Sequence, residues 1–230
     1  MKHLLGVCGV LLCATMAQAA DITELVKQLK EGDNDARRAA AKALADGGPE
    51  SKEAVPALIK ALKDRDVFVR RFSAQALGEI GPEARSAAPA LVASLDDARK
   101  EVQTAAANAL AKIGPSGVEA LTSLVKDERK DSAARREAIK GLSRGGSEAR
   151  GAVPVLTELV KEKPPKGKKN MNAPEDLRVE AASALAELAT SDDKETIQTL
   201  EALTGKMAKT PRNLRQAANM ALRKIRGARK

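Results

Sequence analysis

Six times along this chain a small residue followed by leucine recurs inside a similar phrase: Ala43-Leu44, Ala76-Leu77, Ala109-Leu110, Gly141-Leu142, Ala184-Leu185 and Ala221-Leu222. Successive steps are 33, 33, 32, 43 and 37 residues apart. A repeat of roughly 20–50 residues marks a stack of small supersecondary units, each burying its apolar face against the next, in place of one globular core. Such a stack offers long surfaces and few deep pockets.

The second unit shows what one repeat contains. Val55, Leu58, Ile59 and Leu62 fall at helical spacing and are followed by the polar break Lys63-Asp64-Arg65-Asp66. A second helical run places Val69, Ser73, Ala76, Leu77 and Ile80 on one face and stops at Gly81-Pro82, a helix-ending pair. Each unit is therefore a helical hairpin. Pro56, Pro89 and Pro154 fit if the first helix starts three or four residues earlier, because a missing N–H is harmless in a first turn. The other second helices end at Gly47-Gly48-Pro49, Gly114-Pro115, Gly145-Gly146 and Thr190-Ser191-Asp192-Asp193.

Aligned by their leucines, the second helices share a buried column: Ala36, Val69, Val102, Ala134, Leu177, Leu214. The next residue is Arg37, Arg70, Gln103, Arg135, Arg178 or Arg215. Four positions earlier stands Asp33, Asp66, Arg99, Asp131, Pro174 or Pro211. In the third unit both columns change together.

The phrase Asp66-Val67-Phe68-Val69-Arg70, continued by Ala76-Leu77-Gly78-Glu79-Ile80-Gly81, resembles the HEAT repeat, in the short variety named after phycobilisome lyases. The resemblance covers nearly all of residues 21 to 227 and implies an all-α fold. That fold is an α-solenoid (α-α superhelix) of about six hairpins with armadillo-like architecture. The hairpins are expected at about 21–48, 49–81, 82–114, 115–146, 147–191 and 192–227, within a repeat domain spanning 20–227. In that family the acidic and basic columns are structural, tying the turn and neighbouring repeats together. The resemblance carries this role to Asp33, Asp66 and Asp131 and to Arg37, Arg70, Arg135, Arg178 and Arg215. Arg99, Gln103, Pro174 and Pro211 depart from the pattern, so a continuous ladder is in question at repeats three, five and six.

Alanine fills the faces where hairpins must meet, as in Ala39-Ala40-Ala41 and Ala105-Ala106-Ala107. Small side chains allow close helix approach, and alanine has the best helix propensity. With two Phe, no Trp and no Tyr, burial comes from Leu, Val, Ile and Ala spread evenly along the stack.

Residues 1–19 are different material: Lys2, an apolar run from Leu4 to Thr15, then Ala17-Gln18-Ala19. This pattern is that of a secretory signal peptide cut before Ala20, so the expected location is periplasmic or secreted. The run is too short for a good membrane span. His3, Cys8 and Cys13 all lie in this segment, so the mature chain has no His, Cys, Trp or Tyr. Zinc and non-haem iron sites almost always use His or Cys, and the commonest general base is His. No cofactor and no metal are expected.

Two surfaces are candidates for binding. From Ala20 to Ala149 there are 22 basic and 21 acidic side chains, whereas Arg150 to Lys230 carries 17 basic and 10 acidic ones. The excess lies in an inserted loop over 161–174, with Lys161, Lys163, Lys166, Lys168 and Lys169, and in the C-terminal Arg223, Lys224, Arg226, Arg229 and Lys230, the tail proper being 228–230. Such clusters attract anionic surfaces or acidic proteins. Sequence-specific nucleic-acid recognition is disfavoured, because single-strand readers stack bases on aromatic side chains.

The second candidate is the exposed face of the second helices, which in HEAT-like stacks lines the concave side. Projection at about 100° per residue places Arg38, Lys42, Arg71, Gln75, Thr104, Asn108, Arg136 and Lys140 furthest from the buried stripe, continued by Val179, Ser183, Gln216 and Met220.

The expectation is a non-catalytic, exported scaffold that binds another macromolecule, most readily a protein, through the concave face or the basic end. The alternative is a relative of the HEAT-like phycobilin lyases or of deoxyhypusine hydroxylase. The first is disfavoured by the missing aromatics, the second by the absence of any His-Glu pair.

Overall fold

The computed structural model describes residues 21–162, 174–205 and 210–227. Among them every regular element is helical and no strand occurs. A first helix, α1, covers 21–31. It is followed by α2 (Asn34–Asp46), α3 (Val55–Ala61), α4 (Val67–Ile80), α5 (Ala88–Ser94), α6 (Lys100–Lys112), α7 (Pro115–Lys126), α8 (Ser132–Arg144), α9 (Val153–Lys161), α10 (Pro174–Leu188), α11 (Lys194–Thr204) and α12 (Arg212–Gly227).

The helices form two layers. The even-numbered ones stack in chain order, α2 on α4, α4 on α6, and so on to α10 on α12. From α3 onward the odd-numbered helices lie outside them, each packed on the helix that follows it, as α5 is on α6 and α7 on α8. The proposed expected signal segment 1–19 lies outside the described residues.

Proline shapes the outer layer. Sequence spacing put Pro56, Pro89 and Pro154 three or four residues into a helix, but the α-helices begin one residue before each of them, at Val55, Ala88 and Val153. Ahead of each lies a seven-residue 3-10 segment: Gly48–Ala54, Gly81–Ala87 and Gly146–Ala152. Proline has no N–H to give to the carbonyl four residues back, so the chain before it winds in the tighter i→i+3 form.

The repeated leucines form the spine of the core. Leu44, Leu77, Leu110, Leu142 and Leu185 are wholly buried, and Leu222 nearly so. Ala76, Ala109, Ala184 and Ala221 are buried beside them, whereas Ala43 is exposed, because among the described residues no inner helix precedes α2. Met220 is exposed on the same face of α12 that Lys42 and Gln75 occupy on theirs.

The small residues set the spacing of the inner layer. A Cβ placed on Gly78 would lie 2.8 Å from the Cα of Ala109, and one on Gly141 would lie 2.8 Å from the carbonyl oxygen of Ala107. Helices α4, α6 and α8 therefore approach backbone to backbone. Their polar side chains are drawn onto one continuous face.

Candidate functional site

The turns entering the inner helices are locked by aspartates. Asp33 caps α2 by accepting from the Ala36 N–H at 2.8 Å, and Asp66 caps α4 by accepting from the N–H groups of Phe68 and Val69 at 2.9 and 3.2 Å. Such caps satisfy the free N–H groups of a first turn. Asp131 occupies the same place before α8 without a capping hydrogen bond.

The arginine column reaches past these residues. Arg37 donates from Nε and Nη2 to the two carboxylate oxygens of Asp64 at 2.9 and 3.2 Å, while its Nη1 holds the Gly32 carbonyl. One hairpin further on, Arg70 repeats the arrangement with Asp97 and the Asp64 carbonyl. Each guanidinium thus fastens its own turn to the next one. Asp64 and Asp97 also accept from the N–H two residues ahead, fixing the turn that presents them. Burial pushes the Asp97 carboxyl up, but the Arg70 guanidinium and the Arg99 N–H outweigh it and hold the group below its usual range.

This ladder ends at the third hairpin. Gln103 stands where arginine would be and donates to the Asp97 carbonyl at 2.7 Å, while the next aspartate, Asp127, accepts from the N–H two residues ahead as Asp64 and Asp97 do but pairs with the Arg129 side chain. Beyond it, Arg135 and Arg178 donate to the Val125 and Val160 carbonyls, at the C-terminal ends of their own outer helices, and Arg215 to the Thr210 carbonyl.

On the inner face Arg38 pairs with Asp66 and lies 5.1 Å from the centre of the Phe68 ring. The Arg38 guanidinium, aided by the Val69 and Phe68 N–H groups, draws the Asp66 carboxyl down to about 2. One repeat on, Arg71 sits 5.5 Å from Phe68 and 4.6 Å from Phe72. Its counterpart of Asp66 is Arg99, and the Arg71 Nε, like that of Arg38, is buried without a hydrogen-bond partner.

Arg71 opens onto a concavity of about 530 Å³ spanning α4, α6 and α8. Gln75, Thr104 and Asn108 line it, over a floor of Gly78, Ala105 and Ala109. Four of the expected concave positions, Arg71, Gln75, Thr104 and Asn108, come together here. Arg38 joins them indirectly through the shared Phe68 ring. Lys42, Arg136 and Lys140 do not line the cavity, and Lys140 pairs with the buried Glu137, which also accepts from Thr104.

The cavity adds Glu79, Glu101, Lys112 and Arg144, which the helical projection passed over. Glu79, Lys112 and Arg144 lie four residues beyond Gln75, Asn108 and Lys140, one turn further along the same stripe. They also bridge helices. Lys112 pairs with Glu79 at 2.7 Å, and Arg144 donates to the Asn108 side-chain oxygen at 2.6 Å.

HEAT repeats match residues 22–111 and 88–170, together more than half of the chain. The chain belongs to the HEAT-repeat family. This HEAT protein also resembles the solved complex of CpcE and CpcF of phycocyanin lyase from Nostoc sp. PCC7120, at 23% identity and a TM-score of 0.50, over 84% of this chain and 73% of that one. It is similar to an engineered protein at 27% identity and TM-score 0.49, over 90% of this chain and 97% of that one. A third similar structure is human deoxyhypusine hydroxylase in complex with glycerol, at 18% identity and TM-score 0.44, over 93% of this chain and 99% of that one. No curated protein matches the chain.

At the C-terminal end of this HEAT protein, three of the four described residues of the expected basic patch are ion-paired. Lys161 pairs with Glu158 and Glu195 at 2.7 and 2.6 Å, Lys224 with Glu187, and Arg226 with Glu201. Arg223 is exposed on α12. Lys163, Lys166, Lys168, Lys169, Arg229 and Lys230 lie outside the described residues.

Among the described residues of the HEAT protein, no group of three or more acidic, His or Cys side chains could hold a metal ion. Nor is any helix among them long and apolar enough to cross a membrane.

Proposed function

We propose that this HEAT-repeat protein is an exported, non-catalytic scaffold that holds a segment of a partner protein against the concave face of α4, α6 and α8. The observation that carries the reading is the concavity itself, where α4 presents Arg71 and Gln75 and α6 presents Thr104 and Asn108 over a floor of glycine and alanine, with Arg144 of α8 at the far side. A floor of small residues lets another chain approach closely, and neutral amide and hydroxyl groups suit the hydrogen-bonding needs of a peptide backbone. The groove is preferred to the basic end because Lys161, Lys224 and Arg226, three of the four described cations there, are engaged by carboxylates of the fifth and sixth repeats.

The non-catalytic part rests on the mature chain's lack of His, Cys and Tyr, which removes the usual general base and the strongest nucleophile. Export rests on the pattern of residues 1–19 and places the partner in the periplasm or outside the cell.

Site-specific photocrosslinking in the native host tests the reading. A crosslinker at Gln75 or Asn108 is expected to trap one partner in the envelope fraction, and one at Glu119, exposed on the outer helix α7, to trap none. Adducts from Glu119 or Arg223 with none from Gln75 or Asn108 would refute it.

A further inference from the structure

From the charges left open in the groove we infer that its occupant is an acidic peptide segment, whose carboxylates are received by Arg71 and Arg144; this rests on the concave groove being the binding surface.

The inference begins with a comparison of equivalent positions. Arg38 stacks on Phe68 and has Asp66 as its carboxylate. Arg71 occupies the same place one repeat later, is held between Phe68 and Phe72, and meets Arg99 in the position of Asp66. The ring contacts fix its planar guanidinium, while the carboxylate that completes the first site is missing from the second. Arg144, at the far side of the same cavity, is hydrogen-bonded to the neutral Asn108. Lys112, the other cation of the cavity, is already paired with Glu79. Glu101 faces Arg99 at 3.6 Å, and its carboxyl is held low by its own N–H, then by the charges of Arg99 and Arg71.

A guanidinium presents a fork of donors that matches a carboxylate, and one fixed in advance loses less freedom on binding. Arg71 and Arg144 therefore supply two fixed positive points in one cavity. The same lining also carries two negative points, Glu79 and Glu101. A continuous polyanion such as a nucleic-acid strand would meet those two carboxylates, and Phe68 and Phe72, engaged by arginines, are poorly placed to stack bases. A peptide bearing separated Asp or Glu residues meets the arginines, with the Gln75 amide and the Asn108 side-chain N–H groups left for its main chain, since the Asn108 oxygen is taken by Arg144 and the Thr104 hydroxyl donates to Glu137.

The test is selection of a random-peptide display library on the full chain, with binding sites mapped by amide chemical shifts. Expected are peptides enriched in Asp and Glu that shift Gln75 and Asn108 and bind about tenfold more weakly to the Arg71→Ala chain, a difference that shrinks as salt screens the pair. Arg144→Ala, at an exposed position, gives the same readout without disturbing the Phe68–Phe72 packing. Peptides that shift Gln75 and Asn108 without acidic enrichment would overturn the inference and leave the groove reading standing. Peptides that leave both residues unshifted would overturn the two together. Tighter binding of an oligothymidylate than of the selected peptides, or their displacement by equal concentrations of succinate, would also overturn it.

Discussion

Arg70 grips Asp97 through two nitrogens, Nε at 2.7 Å and Nη2 at 3.1 Å, across the junction between two hairpins. Its third nitrogen holds the turn of its own hairpin through the Asp64 and Arg65 carbonyls. Both partners are mostly buried, with 15% and 12% of their side chains exposed. Removing one member leaves the other charge stranded, at a cost of about 3–5 kcal/mol, while removing both is far less harmful. Arg70→Ala and Asp97→Ala should each destabilise the chain strongly in urea melts, and the double variant should be no worse than either single one. Simple addition of the two effects would show that the residues do not act as a pair.

The Asp66 carboxyl titrates near 2 in the folded chain, below the value of about 3.9 expected when unfolded. A depressed pKa favours the folded state above the unfolded value and ceases to do so as pH falls through the folded one. The contribution of Asp66 is therefore complete above about pH 4 and lost between about pH 4 and pH 2. Asp66→Asn should be less stable than the parent at pH 7 and should show a shallower loss of stability over that acid range. Parallel acid curves for the two proteins would contradict the assignment.

Two glycines should respond oppositely to alanine. Gly78 faces the Ala109 backbone at 2.8 Å from an added Cβ, whereas nothing lies within 4 Å of one at Gly151. Gly78→Ala should push α4 from α6 and lose stability despite alanine's better helix propensity. Gly151→Ala should be neutral or gain about 0.4–1 kcal/mol by restricting the unfolded chain. Thermal melts of the two variants decide this, and equal behaviour would show that the close approach is not real.

The hairpins and their buried leucines were legible because burial repeats with the helical period, so Leu77 and Leu110 could be placed from spacing alone. The 3-10 lead-ins were not, since proline fixes where an α-helix starts but leaves the form of the preceding turn open. Asp64 and Asp97 escaped notice because their partners, Arg37 and Arg70, lie 27 residues away, in another repeat. Their signal was present as aspartates at the matching ends of successive outer helices, Asp64, Asp97 and Asp127. The concave stripe was found in part. Projection on a single helix selects the residues furthest from the core, whereas a groove across three helices also collects the next turn, where Glu79, Lys112 and Arg144 stand.

The most direct measurement is the affinity of the partner trapped at Gln75 or Asn108 for two altered chains. One carries Arg71→Ala with Arg144→Ala, and the other carries alanine at Lys161, Lys224 and Arg226. The account predicts about a tenfold or greater loss with the first, because each removes a charge facing the ligand, and an unchanged affinity with the second. Full affinity in the groove variant together with loss in the basic-end variant would contradict it.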